Sequence, residues 1–271
     1  MFATVTRILS RKKTQAAAVA TLAAISSVGL LPRDAYVATA AVTTPAIETK
    51  PVSPKPATAS KRTATRPPTV VERLTSSTRA TNGLPNIEHP RVQTWIKRFT
   101  TTQRGSFNTY LRRMPRYETM ISKKLADRGM PQGLIYLAMI ESGFNPRAKS
   151  PVKASGLWQF MSATGREYGL TVNRRVDERN NPVRSTDAAL RYLDRLYDRF
   201  GSWYLAAAAY NTGQGRVAKV LKQVTGKTRG TDADFYRIAH RLPRETRDYV
   251  PKMIAAARIG TNPERYGFSG D

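Results

Sequence analysis

From residue 90 onward, apolar residues recur at spacings of three and four with basic residues between them: Trp95, Phe99, Phe107, Tyr110, Leu111 and Met114. That period belongs to an amphipathic helix or a pair of helices. It predicts a second helix from Tyr117 through Met120, Ile121 and Leu125 to a stop at Gly129, and a third, more buried helix over 131–142. Pro131 suits a first-turn position and Gly143 suits a stop. Further helices are predicted over 162–168, 185–200, 203–210, 215–224 and 244–260, with Ser185-Thr186-Asp187 offering caps for the second of these. Leu190, Leu193, Leu196, Tyr197 and Phe200 form its apolar stripe. Alternating runs of β-branched residues are absent, so the expected fold class is mainly α.

The pattern before residue 90 is different. Basic residues (Arg7, Arg11, Lys12, Lys13) precede an apolar Ala/Val/Leu/Ile stretch over 16–31, and small residues follow at Ala38-Thr39-Ala40. This is the three-part layout of a secretory signal peptide, with cleavage after Ala40 expected in preference to an uncleaved membrane anchor. Residues 41–90 hold Pro45, Pro51, Pro54, Pro56, Pro67 and Pro68 and almost no large apolar side chains. Such a segment cannot bury enough surface to fold and reads as a disordered, partly polyproline tether. The expected organisation is therefore an export segment over 1–40, a tether over 41–90 and one folded domain over 91–271.

The 271-residue chain contains no cysteine. Disulfides, thiolate metal sites and a lipid-accepting cysteine are thereby excluded. The formal net charge is +26; residues 1–90 carry 12 Lys/Arg against 4 Asp/Glu, which leaves 33 against 15 in the rest. A field of that sign favours a polyanion, and in the cytoplasm nucleic acid would be the leading candidate. Export replaces that partner with the anionic cell envelope, so no nucleic acid is expected. The competing reading is a solvated face that serves solubility alone.

Three polar clusters interrupt the helical pattern. The first runs from Glu141-Ser142-Gly143-Phe144-Asn145-Pro146 to Lys149-Ser150, the second is Gly156-Leu157-Trp158-Gln159-Phe160-Met161, and the third is Ala209-Tyr210-Asn211-Thr212-Gly213. Glu141 closes the apolar run 133–140. Desolvation by that apolar wall, and the negative end of a helix stopping near Gly143, both push a carboxyl pKa upward. A raised pKa is what a general acid working near neutrality needs. Singly, each cluster also reads as structure: a solvated helix-end Glu, a filler Gln or Met, a helix stop at Tyr-Asn-x-Gly.

In this order, the clusters resemble the lytic transglycosylases that cleave bacterial peptidoglycan, whose Glu-Ser, Gly-Leu-x-Gln and Ala-Tyr-Asn motifs they match, with Trp158 where many members have Met. The segments Val176-Asp177-Glu178-Arg179 and Leu242-Pro243-Arg244-Glu245-Thr246-Arg247-Asp248-Tyr249-Val250 are most similar to a membrane-bound branch of that family. Members of that branch are lipoproteins with C-terminal LysM modules; neither feature is expected here, and the cationic tether and surface are expected to take over wall targeting.

The resemblance implies a lysozyme-like helical domain, the fold of goose-type lysozyme and the soluble lytic transglycosylases, with Glu141 as the sole catalytic carboxylate. It implies that Ser150 hydrogen-bonds Glu141 or the substrate acetamido group, that Gln159, Tyr210 and Asn211 orient the sugar, and that Met161 floors the site. Glu245 would line the groove, with pairing to Arg244 or Arg247 as its structural alternative, and Gly156 would let the backbone approach the substrate. Glu167, Asp177 and Glu178 are expected on structural segments. The implied reaction breaks the MurNAc–GlcNAc bond and leaves 1,6-anhydro ends, in the periplasm or cell envelope, by a monomer whose partner is the glycan strand and which meets a membrane only through an uncleaved N-terminal segment. The alternatives are a hydrolytic muramidase and a non-catalytic basic wall-binding or nucleic-acid-binding protein. No cofactor or metal is expected, and His89 and His240 are assigned no role. Trp203 is expected in the core, while Trp158 is open between core and sugar stacking.

Overall fold

In the computed structural model the described residues are 81–268. The predicted export segment and most of the predicted tether lie outside them. The described chain is mainly α, as the pattern predicts: α1 Pro90–Thr100, α2 Arg104–Arg113, α3 Pro115–Ala126, α4 Ile135–Ser142, α5 Ser162–Glu167, α6 Pro182–Phe200, α7 Trp203–Thr212, α8 Gln214–Thr225, α9 Asp232–Ala239 and α10 Arg244–Thr261. Among the described residues the only β pairing is isolated bridges, two of them tying residues 149, 155 and 160 together. No described helix is long and apolar enough to cross a membrane.

Two helices are apolar all round, which marks them as core elements. In α4, Ile135 through Ile140 are all buried; in α7, Tyr204 through Ala209 are. The four consecutive alanines of α7 leave room for neighbours on every side, and α6, α8 and α10 pack against it. The long helix α10 lies against α1, α4 and α7, and its middle, Tyr249 to Ala257, is buried except for Lys252. It runs through Pro251 without ending. Helix α10 therefore holds α4 and α7, the two helices that end in polar clusters, against one scaffold.

Several expectations need correction. The cap of α6 is Asn181, whose side chain accepts from the amides of Val183 and Arg184, and the helix starts at Pro182. Ser185 and Thr186 are buried inside it, because Asn before a first-turn Pro is the stronger start signal. The buried helix predicted over 131–142 divides into a 3-10 turn, Gln132–Leu134, and α4. Helix α9 was not predicted; Thr231 and Asp234 close a capping box at its start. Residues 81–89, expected in the tether, instead pack on the domain. Leu84 is fully buried, the Ile87 amide donates to Tyr204 Oη at 3.3 Å, and Arg258 binds Asn86 and Glu88.

Gly143 ends α4 in the left-handed region, at φ 58°. A Cβ there would lie 2.1 Å from the Tyr110 ring. Both the torsion and the contact demand glycine. Gly143→Ala is expected to cost more than about 2 kcal/mol, since a left-handed non-glycine residue alone costs roughly 1–2 kcal/mol and the Tyr110 ring must also move. Urea unfolding followed by circular dichroism measures this loss.

Candidate active site

Glu141 sits in the last turn of α4, where the apolar run meets the Gly143 cap. Its side chain points toward α10, whose residues Glu245, Tyr249 and Lys252 recur at spacings of four and three and so share one face. Tyr249 Oη donates to Glu141 Oε1 at 2.5 Å, and Lys252 Nζ donates to the Ile140 carbonyl at 3.2 Å. Burial pushes the Glu141 pKa up to about 7, while the Tyr249 hydrogen bond and the Lys252 charge pull it down and the Glu245 charge adds to the rise. Burial lowers the Lys252 pKa in turn, against the opposing pull of Glu141 and Glu245. Tyr249 and Tyr210 are pushed well above the ordinary tyrosine range, first by burial and next by the nearby Glu141 charge.

The second cluster is held in place by polar contacts from below. Ser142 Oγ donates to the Leu157 carbonyl at 2.9 Å, which ties the end of α4 to this loop. The buried guanidinium of Arg179 makes a two-point contact with Asp177, at 2.8 and 2.7 Å, and donates to the Lys153 and Phe160 carbonyls. Trp158 is fully buried, with its Nε1–H donating to Thr186 Oγ1 at 3.0 Å, so it belongs to the core. Gln159, at φ 48°, holds its amide across the Ala148 and Gly156 carbonyls.

The third cluster completes the wall. Tyr210 Oη donates to the Trp158 carbonyl at 2.8 Å. The Asn211 amide is fixed at both ends, donating to Glu245 Oε1 at 3.1 Å and accepting from Thr246 Oγ1 at 2.7 Å. This arrangement decides which end of the amide faces which neighbour.

The three clusters and α10 surround a cleft of about 350 Å³. Seven of the eight sequence-predicted residues line it: Glu141, Ser150, Gln159, Met161, Tyr210, Asn211 and Glu245. Met161 and Val152 form an exposed apolar rim. Gly156 does not line the cleft. Its φ of 86° and the carbonyl of Arg179, which a Cβ would approach to 1.8 Å, explain the glycine; the close approach is to protein backbone instead of substrate. Ser150 Oγ accepts from the Ala154 amide at 3.0 Å and makes no bond to Glu141, the first of its two expected roles; the hydroxyl that bonds Glu141 is that of Tyr249. Glu245 bonds Asn211 and forms no ion pair with Arg244 or Arg247.

Glu167, Asp177 and Glu178 pair with Arg195, Arg179 and Arg184, away from the cleft, as expected of structural carboxylates. Trp203 stacks on Tyr197 with ring centroids 4.2 Å apart. His89 caps α1 and stacks on Tyr236. No group of His, Cys, Asp or Glu among the described residues could hold a metal ion. Tyr249 and Lys252 escaped the sequence reading as individual site residues, although their periodic spacing with Glu245 on one helix face was the available signal.

Residues 118–232, which include all three clusters but not α10, match the family described as the transglycosylase SLT domain. The chain is 41% identical over 186 residues to the membrane-bound lytic murein transglycosylase D of Escherichia coli (strain K12), covering 68% of this chain and 40% of that protein. It is 34% identical over 125 residues to the soluble lytic murein transglycosylase of Salmonella typhimurium, covering 44% and 19%. Among solved structures, the 70 kDa soluble lytic transglycosylase from E. coli aligns with a TM-score of 0.44 at 27% identity, over 55% of this chain and 24% of that one. The chain thus spans well under half the length of both curated relatives. Residues 118–232 thus form a transglycosylase SLT domain.

Proposed function

We propose that this protein cleaves the MurNAc–GlcNAc bond of peptidoglycan without water, leaving 1,6-anhydro-MurNAc ends. The observation that carries the reading is the Glu141 carboxyl, set in the cleft wall with a pKa near 7 and a hydrogen bond from Tyr249. In its protonated form Glu141 gives its proton to the glycosidic oxygen as the C1–O bond breaks. The substrate acetamido oxygen stabilises the positive charge at C1. The ionised Glu141 then takes the proton of the C6 hydroxyl, whose oxygen bonds to C1 and closes the anhydro ring. General acid–base assistance contributes about 10²–10⁴-fold, and an intramolecular C6 hydroxyl at C1 adds effective concentration.

Gln159, Tyr210 and Asn211 would position the sugar, with Met161 under one ring. Residues 1–40 direct export and 41–80 act as a tether, so the domain works in the cell envelope, where its positive charge favours the anionic wall. That interaction is expected to weaken steeply with salt.

Glu245 favours a second reading, because it places another carboxylate on the same cleft, and ordinary hydrolytic glycosidases use two. Its engagement with Asn211 argues for positioning. Mass spectrometry of digested peptidoglycan separates the two: anhydro ends are expected, and reducing ends carrying an added water would establish hydrolysis. A Glu141→Gln variant that degrades walls as the natural protein does would defeat both.

The raised pKa fixes the direction of the pH effects. Below 4.5 the Glu141 carboxyl is protonated in folded and unfolded chains alike; between 4.5 and about 7 only the unfolded chain releases its proton, so stability falls as pH rises. The full shift corresponds to roughly 3 kcal/mol, which water in the cleft reduces to about 1–2 kcal/mol. Glu141→Gln is therefore expected to lose activity by several orders of magnitude, yet to be more stable by that amount above neutrality and not near pH 4, as measured by urea denaturation at the two pH values. Tyr249→Phe removes a bond that favours the ionised form, so the alkaline limb of the pH–rate profile is expected to move to higher pH. A limb that stays put would separate Tyr249 from the acid.

A further inference from the structure

A second cavity, about 550 Å³, lies between α1 and the first turns of α10 and shares no lining residue with the cleft. Its volume is in the range of small-ligand sites, about 300–1,000 Å³. Four arginines line it: Arg91, Arg98, Arg244 and Arg247. Asp248 is the one carboxylate in the lining, and it is taken up by Arg91 at 2.6 Å. Arg98 lies over the Trp95 ring, 4.8 Å from its centroid, and Arg244 forms no ion pair among the described residues. Arg247 makes one long contact, 3.5 Å from Nη2 to the Leu242 carbonyl, while its buried Nε–H has no hydrogen-bond partner.

Like charges gathered around a cavity repel one another. That repulsion is relieved by a ligand with two or more anionic oxygens, which planar guanidinium groups bind in pairs. The position restricts that ligand. Arg244, Arg247 and Asp248 occupy the face of α10 next to the one that carries Glu245 and Tyr249, roughly a third of a turn around the helix. The cavity is thus within about one helix width, roughly 10 Å, of the cleft. An extended peptide of four residues spans about 13 Å.

We propose that this arginine cavity binds the free carboxylates of the peptide stem borne by a muramyl residue in the cleft, so that the enzyme prefers strands with acidic, unamidated stems. This rests on the peptidoglycan reading above and extends it from the sugar to the peptide.

The test uses the double variant Arg98→Ala/Arg244→Ala, which spares the half-buried Arg247, and an acidic stem tetrapeptide beside its fully amidated counterpart. Calorimetry should show the full chain binding the acidic peptide at least about ten-fold more tightly than the amidated one, with that difference lost in the double variant, as removal of one to two charge-assisted contacts implies. On peptide-bearing glycan the variant should raise KM about ten-fold with kcat unchanged, and on peptide-stripped glycan it should change neither. Equal binding of the two peptides, or a variant that binds the acidic one as the natural chain does, overturns the proposal, as does an equal loss on both glycans. Peptide binding is read without turnover, so a failure of the cleavage reading shows itself separately, as absent products with peptide binding intact.

Discussion

The contact between Tyr249 and Glu141 joins the two elements on which the rest of the site depends. Helix α4 is apolar on every side and can exist only inside the molecule, so its last turn carries Glu141 into a desolvated position. A carboxyl there is costly when ionised, and its proton is correspondingly easy to keep. Helix α10 limits that cost. It offers the Tyr249 hydroxyl at 2.5 Å and sets the Lys252 charge nearby, which together hold the pKa at about 7. A carboxyl poised between its two protonation states can give a proton and take one back, as a single-acid mechanism requires.

The remaining contacts serve to keep that pair open to one cleft. Gly143 stops α4 two residues after Glu141, Arg179 anchors the loop that holds Gln159, and Thr246 with Glu245 fixes the Asn211 amide. These contacts come from segments far apart in sequence, and α10 itself supplies those to Asn211. Preorganisation of this kind matters because a positioned polar group need not reorganise during the reaction.

Much of this was legible in the sequence because it is local. The apolar run ending at Glu141, the glycine stop and the Ala-Tyr-Asn segment all sit within a few residues of the groups they position. The mainly α class followed from three-and-four spacing. What escaped the sequence was tertiary. The sequence offers Ser150 as a partner for Glu141 or for the acetamido group, and the hydroxyl that reaches Glu141 comes from Tyr249, 108 residues away. The resemblance implies a substrate contact at Gly156, and the backbone that this glycine accommodates is the carbonyl of Arg179. Residues 81–89 lacked the apolar density of a folded segment, but a single leucine and the partners of Tyr204 and Arg258 are enough to hold them.

We infer that Glu141 keeps its proton near neutrality because of where α4 ends. The most direct measurement is an NMR titration of the glutamate side-chain carboxyl carbons, with Glu141→Gln used to assign its resonance. A midpoint at about 7 is expected for Glu141. A midpoint near the ordinary value of 4.5 would contradict it.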